Sequence, residues 1–235
     1  MRPSHRFLMP LALLAFCAAS LAAQTTPPAA PPPPPPLPAT APVNPAPKAE
    51  PAAATTVDNL QAAFAEATRQ AALMDVYAKK ADAEGYTQVA SLYRTIKRSN
   101  EIHKNVITES LKKLNAAPKT PDPAPAAPVE TKSTKDNLTA AMKAAKAAKD
   151  NTLIAYGRRA SEDKNKDADT TFRYIRESYI EHARYMEAAL DTLPQTRTGT
   201  KDYYVCRVCG YMVEKLDIKK CPVSASERDK FEKVN

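Results

Sequence analysis

Cysteine, glycine and long hydrophobic runs are all scarce in this chain, and each scarcity narrows what it can be. There are four cysteines and four glycines in 235 residues. The apolar stretch from Leu11 to Leu21 is too short to cross a bilayer comfortably. Arg2 and Arg6 precede it and Ser20-Leu21-Ala22 closes it, so residues 1–23 read as a secretory signal with cleavage before Ala23. Left uncleaved, the segment would be an anchor, the only route by which a membrane enters the account. Lipid attachment at Cys17 is disfavoured because Phe16 is bulky where a small residue is expected. The expected location is the periplasm or outside the cell.

Loss of the signal removes Cys17 and leaves Cys206, Cys209 and Cys221. An odd count in an oxidising compartment does not suit a closed disulfide framework. The formal charge of +8 becomes +6 without Arg2 and Arg6. The remaining Lys and Arg residues are interleaved with Asp and Glu, the pattern of solvated helix faces. With export, this argues against a nucleic-acid partner.

Proline is abundant, and 13 of the 22 prolines fall between Pro27 and Pro51. Such a stretch cannot donate enough backbone hydrogen bonds for helix or sheet. Residues 24–54 are therefore expected to form an extended, disordered stalk. Folding begins near Thr55 and leaves about 180 residues, enough for one core and a small appendage.

From Val57 to Leu114 little except Gly85 breaks a helix. Val57, Leu60, Phe64, Ala67, Ala71 and Met74 recur at three- and four-residue steps, and Val89, Leu92, Ile96, Ser99 and His103 do so after Gly85. The pattern predicts an amphipathic hairpin, with Thr56 or Asp58 capping the first helix. A Pro/Ala linker over 115–131 follows. The pattern resumes from Thr134 to about Glu162 and from about Asp167 to Leu193, where Pro194 stops it.

The halves repeat. Asp58-Asn59-Leu60-Gln61-Ala62-Ala63-Phe64 matches Asp136-Asn137-Leu138-Thr139-Ala140-Ala141-Met142, and His103 and His182 are 79 positions apart. A duplicated hairpin with a long connection predicts a mainly α fold over 55–193, a four-helix bundle with one long crossover. Residues 194–201 then link to a tail over 202–235. It carries Cys206-Arg207-Val208-Cys209-Gly210-Tyr211 and Cys221-Pro222-Val223-Ser224. So short and turn-rich a module needs a metal or crosslink.

Together these features resemble the rubrerythrin family. The most specific pieces are Asn59-Leu60 with Ala63-Phe64-Ala65, Glu84-Gly85-Tyr86, the Cys-x-x-Cys-Gly-Tyr and Cys-Pro endings, and Asp229-Lys230-Phe231-Glu232. The resemblance implies a ferritin-like bundle with a rubredoxin-like β/turn module. It also implies a homodimer in which the tail approaches the partner's bundle, a redox partner of unknown identity, and peroxide reduction at a di-iron site. That site takes a Glu from each of two helices and a Glu-x-x-His pair from each of the others.

The sequence departs from this ligand set. The implied carboxylate positions fall on Ala67, Asn100, Ala145 and Tyr179, and a further one on Ala148; only His103 and His182 remain. Neighbouring Glu66, Glu101 and Glu181 are rotated by about 100° per residue from the ligand face, and are expected to be solvated. A di-iron centre is therefore expected to be absent. The residual cluster of His103, His182, Asn100 and Tyr179 has three readings. The imidazoles are core residues bonded to Tyr179, Asn100 or another neighbour, or they hold a single zinc or copper ion with a third group, or they ligate a haem as a histidine pair in the space the alanines leave.

In the tail, the resemblance implies one iron, or zinc, on Cys206, Cys209, Cys221 and the residue at position 224, here Ser224. Serine is a harder donor than thiolate and implies weaker binding and a lower potential. A Cys206–Cys209 disulfide with Cys221 free is the competing reading. Three functions stay open: an exported one-metal protein with a role in electron transfer, a non-catalytic scaffold or binding module, and an active peroxide reductase.

Overall fold

The computed structural model describes residues 54–119, 131–197 and 199–234. The secretory signal, the stalk up to residue 53 and linker residues 120–130 lie outside the described residues.

Four helical rods make the bundle. Helix α1 spans Thr56–Ala83 and α2 spans Thr87–Lys113. The third rod is α3, Thr134–Ala147, continued through a π-helical turn, Ala148–Thr152, into α4, Leu153–Glu162. The fourth is α5, Lys166–Asp191. Helix α1 packs along α2, α3 and α4 pack along α5, and α2 faces α5. Leu60, Met74, Leu92, Tyr93, Ile107, Leu111, Leu138, Phe172 and Met186 fill the interior. No helix among the described residues is long and apolar enough to cross a membrane.

Helices α1 and α3 open alike. Thr55 caps α1: Asp58 N–H donates to its Oγ1 at 3.2 Å, and Thr55 N–H donates to Asp58 Oδ2 at 3.0 Å. Ser133 caps α3 in the same way, accepting from Asp136 N–H at 3.2 Å. The matched Asp58 and Asp136 are thus third-position partners of the cap, and the expectation that Thr56 or Asp58 is the cap is corrected to Thr55. Thr56 instead donates its hydroxyl to Asp163 Oδ2 at 2.7 Å, tying the start of α1 to the end of α4. Thr55→Ala is expected to cost about 1 kcal/mol, read as a lower urea midpoint at unchanged m-value.

Both hairpin turns share one backbone form. After α1, Gly85 adopts φ +78° while Tyr86 N–H reaches Ala81 O at 2.8 Å. After α4, Lys164 takes φ +55° and Asn165 N–H reaches Ala160 O at 2.8 Å. These are paired left-handed helix ends, the second built without glycine.

The third rod was expected to be one unbroken helix. The π-helical turn interrupts it, adding a residue to the helical turn and shifting the faces before and after it. Arg176 Nε donates to Lys149 O at 3.0 Å, so a side chain of α5 occupies a carbonyl of this turn. The fourth rod ends at Asp191, and Pro194 sits in a 3₁₀ turn over Leu193–Arg197.

The tail is a three-stranded antiparallel sheet in the order β2-β1-β3. Strand β1 is Tyr203–Cys206, β2 is Met212–Val213 and β3 is Phe231–Val234. Tyr203, Val205 and Met212 belong to the same apolar core as the bundle, while Cys206, Cys209, Cys221 and Phe231 form a second cluster. Tyr185 meets Tyr203 edge-on at 5.5 Å, and Tyr185 Oη accepts from Glu214 N–H at 3.2 Å. Arg98 pairs with Glu232 across the same boundary. The tail is therefore seated on its own bundle.

Candidate metal centre and the bundle layer beneath it

Strand β1 delivers Cys206, and a tight turn returns Cys209 beside it. Gly210 N–H donates to Cys206 O and Cys206 N–H to Tyr211 O, both at 2.8 Å. A second knuckle presents Cys221, where Ala225 N–H donates to Cys221 O at 2.9 Å and Cys221 N–H to Ser226 O at 2.8 Å. Ala225 holds φ +57°, the left-handed geometry that Gly210 adopts at φ +80° in the first knuckle. The second knuckle thus keeps its shape without cysteine at 224 or glycine at 225.

Three thiols converge. Their sulfurs lie within 4.8 Å of one another, all three residues are buried, and all three are free. Cys209 Sγ and Cys221 Sγ are 3.5 Å apart. Thiolates held tetrahedrally at a metal–sulfur bond of about 2.3 Å stand about 3.8 Å apart. A disulfide requires about 2.05 Å. The spacing and donor type fit one thiophilic metal ion. Ser224 Oγ lies 3.5 Å from Cys206 Sγ. Ser226 Oγ lies closer, at 3.3 Å, and 2.9 Å from Ser224 Oγ. Ser226 lies outside the Cys-Pro-x-Ser spacing, and only its backbone tie to Cys221 brings it in.

The first knuckle rests on two serines of the bundle. Ser99 Oγ donates to Gly210 O at 2.7 Å, and Ser178 Oγ lies between Tyr174 O of its own helix, at 3.0 Å, and Cys209 O, at 3.3 Å. These serines stand 79 positions apart, as do His103 and His182, so the duplicated hairpins present equivalent hydroxyls to consecutive carbonyls. Ser99 has one hydroxyl proton and spends it on Gly210. Its oxygen must then accept from His182 Nε2, 3.0 Å away, which fixes His182 as the Nε2–H tautomer. Gly210 also lies against His103. A Cβ there would stand 2.5 Å from His103 Nε2.

Below this contact the bundle residues converge as the sequence pattern implies. His103 and His182 ring centroids are 6.2 Å apart, and Tyr179 lies 5.2 Å from His182. Tyr179 Oη donates to Asn100 Oδ1 at 3.3 Å. Neither histidine bonds to Tyr179 or Asn100. His182 takes Ser99, and neither ring nitrogen of His103 has a hydrogen bond of ordinary geometry. Ala145, Asn100, Tyr179, His182 and Gln70 border a cavity of about 10 Å³, room for about one water. A larger cavity of about 450 Å³ opens between α1 and the third rod, bordered by Ala67, Ala148, Tyr156, Tyr179 and Glu66.

A family model for rubrerythrin matches residues 45–190. The chain belongs to the rubrerythrin family. It is 25% identical over 184 residues to rubrerythrin-2 of Clostridium acetobutylicum, covering 76% of this chain and 96% of that one. It is 28% identical over 181 residues to nigerythrin of Nitratidesulfovibrio vulgaris, covering 77% of this chain and 87% of that one. A mixed-valent nigerythrin structure superimposes with a TM-score of 0.67 at 23% identity, covering 80% of this chain and 90% of that one. Mycobacterium tuberculosis bacterioferritin shares the bundle fold at a TM-score of 0.53 and 16% identity, covering 60% of this chain and 86% of that one.

Among the described residues of this rubrerythrin-family chain, Cys206, Cys209 and Cys221 are the one group of three or more His, Cys, Asp or Glu close enough to hold a metal ion. The acidic neighbours of the bundle positions are engaged elsewhere. Glu66 pairs with Arg69 and Glu101 with Arg98, their side chains 42% and 36% exposed. Glu181 departs from expectation. Its side chain is only 15% exposed while paired with Arg184. Burial raises the Tyr185 and Tyr211 phenol pKa values and the nearby Glu181 carboxylate adds to both, which puts Glu181 beside Tyr211 of the tail.

The electrostatics separate the two sites. Donation from Cys209 and Cys221 draws the Cys206 thiol far below its ordinary pKa, while Cys209 is held protonated chiefly by its bond to Cys206. Metal binding requires thiolates and displaces the remaining thiol protons. Burial lowers His103 to about 3 and His182 well below the ordinary value, with His103 adding to the latter. Both imidazoles fold neutral, so the unfolded chain binds more protons below pH 6.5. Stability is full above that pH and falls on acidification, by about 1.4 kcal/mol per unit per histidine until the folded pKa is reached. Urea midpoints at pH 7 and pH 5.5 should differ, and His182→Gln should reduce the difference.

Proposed function

We propose that this rubrerythrin-family protein holds one metal ion, iron or zinc, on Cys206, Cys209 and Cys221, and that its bundle no longer carries a di-iron centre. The observation that carries the reading is the contrast between the sites. Three free thiols meet in the tail, while the bundle layer offers Ala67, Asn100, Ala145 and Tyr179 around two neutral histidines. Iron on carboxylate sites requires hard anionic oxygen donors, and none is buried in that layer.

A metal bound in the tail supplies a one-electron couple when it is iron, and a structural crosslink when it is zinc. The chain's own residues do the rest. Backbone N–H groups of the knuckles orient the turns, Ser99 fixes the first knuckle to the bundle, and Phe231 and Tyr211 pack against the cysteines. Electron transfer with an external redox partner follows for the iron form. The signal-like pattern of residues 1–23 supports a site of action outside the cytoplasm, and the resemblance to the family supports a homodimer.

Iron reconstitution should produce a visible thiolate-to-iron charge-transfer band that Cys206→Ala abolishes. The reduced protein should not turn over peroxide. Sustained peroxide reduction would instead establish the peroxidase reading. The cavity of about 450 Å³ beside Tyr179 lies in the size range of small-molecule pockets and favours the binding-module alternative. Failure of the full-length chain to take up any metal would select it.

A further inference from the structure

The fourth corner of the cysteine site differs from the other three in both chemistry and access. Cys206, Cys209 and Cys221 are buried, whereas Ser224 and Ser226 are half-buried, so the serine corner is less covered than the sulfurs. Two hydroxyls compete for that corner. Ser226 Oγ and Ser224 Oγ stand 3.3 and 3.5 Å from Cys206 Sγ and 2.9 Å from each other. A tetrahedral ion bound to thiolate at about 2.3 Å and to oxygen at about 2.0 Å would put sulfur and oxygen about 3.5 Å apart. Either serine satisfies that spacing. Both together would overfill the corner, because two oxygens on such an ion stand about 3.3 Å apart.

A neutral hydroxyl is a weak donor beside three thiolates, whose charge already offsets that of the ion and so disfavours an alkoxide. The same hydroxyls are well suited to donate hydrogen bonds to something else at that corner. Closed sites with four protein donors are structural, while a site with three protein donors and an accessible fourth position accepts outside ligands.

We propose that the fourth coordination position is exchangeable and takes a small external thiolate, with Ser224 and Ser226 donating hydrogen bonds to its sulfur. The thiolate is the favoured class because three sulfur donors make the bound ion soft. The proposal rests on the reading that the three cysteines hold a metal, and the experiment separates the two.

The full-length chain is loaded with cobalt(II) alone, and its absorption spectrum is followed while 2-mercaptoethanol is added. The expected result is one cobalt per chain, a saturable shift of the sulfur-to-metal and ligand-field bands, and cobalt retained after gel filtration. Ser224→Ala and Ser226→Ala should each weaken thiol affinity by about 2–10-fold, the loss of one hydrogen bond. Ser224→Cys supplies a fourth thiolate from the protein. It should show the shifted spectrum without added thiol and give no further response. A cobalt spectrum unmoved by millimolar thiol, cobalt stripped by the thiol, or an equal response in Ser224→Cys would overturn the proposal. Failure to bind cobalt at all would overturn the metal-site reading beneath it.

Discussion

Gly210→Ala is expected to lower the stability of the chain by about 2–5 kcal/mol, one of the largest single-residue effects the structure implies. Two costs add. Gly210 sits at φ +80°, where a Cβ costs about 1–2 kcal/mol. That Cβ would also lie 2.5 Å from His103 Nε2, 2.7 Å from His103 Cδ2 and 3.1 Å from Ser99 O, and forcing an atom into such packing costs about 1–3 kcal/mol more. Thermal melting should fall by on the order of 10 °C for a chain of this size. Gly199→Ala is the control. It has φ +70° but nothing within 4 Å of the added atom, so only the backbone cost remains. The pair His103→Ala with Gly210→Ala should cost less than the sum of the singles, because the steric part is shared. Strictly additive losses would mean that the knuckle is not seated against His103.

That seating was not legible in the sequence, and the reason is physical. The helices announce themselves through local chemistry: apolar spacing, the Asp58 and Asp136 repeats that partner Thr55 and Ser133, and Gly85 at the first turn. The convergence of His103, His182, Asn100 and Tyr179 was legible too, because duplicated helices put equivalent positions on one axis. Ser99 and Ser178 share that 79-residue spacing, and the repeat could have flagged them. Their partners, the carbonyls of Gly210 and Cys209, are backbone atoms that no side-chain pattern reveals. Lys164 takes the left-handed turn that Gly85 takes in the first hairpin, with no residue-type signal. The π-helical turn at Ala148–Thr152 lies in an alanine-rich stretch that reads as regular helix. The cover of Glu181 depends on where the tail docks, and Ser226 reaches Cys206 only through the fold of the second knuckle, so local spacing announces neither.

Metal loading is expected to stabilise the helices as well as the tail. Tyr203, Val205 and Met212 are part of the bundle core, so the tail cannot loosen without exposing apolar surface on α2 and α5. A ligand bound only by the folded state at 1,000 times its dissociation constant adds about 4 kcal/mol. For a folded region of this length that corresponds to a rise of about 8–16 °C in the helical melting transition. Far-ultraviolet circular dichroism of zinc-loaded and chelator-treated protein should therefore show one cooperative transition that moves with the metal. A helical transition indifferent to metal, with a separate tail transition, would mean that the two parts are energetically independent.

The claim at the centre of the account is that metal chemistry has left the bundle and stayed in the tail. Elemental analysis after iron reconstitution tests it most directly, on the full-length protein beside the Cys206→Ala, Cys209→Ala, Cys221→Ala triple variant. The account predicts about one metal ion per full-length chain and essentially none in the variant. About two irons per chain retained by the variant would contradict it, because that iron could reside only in the bundle.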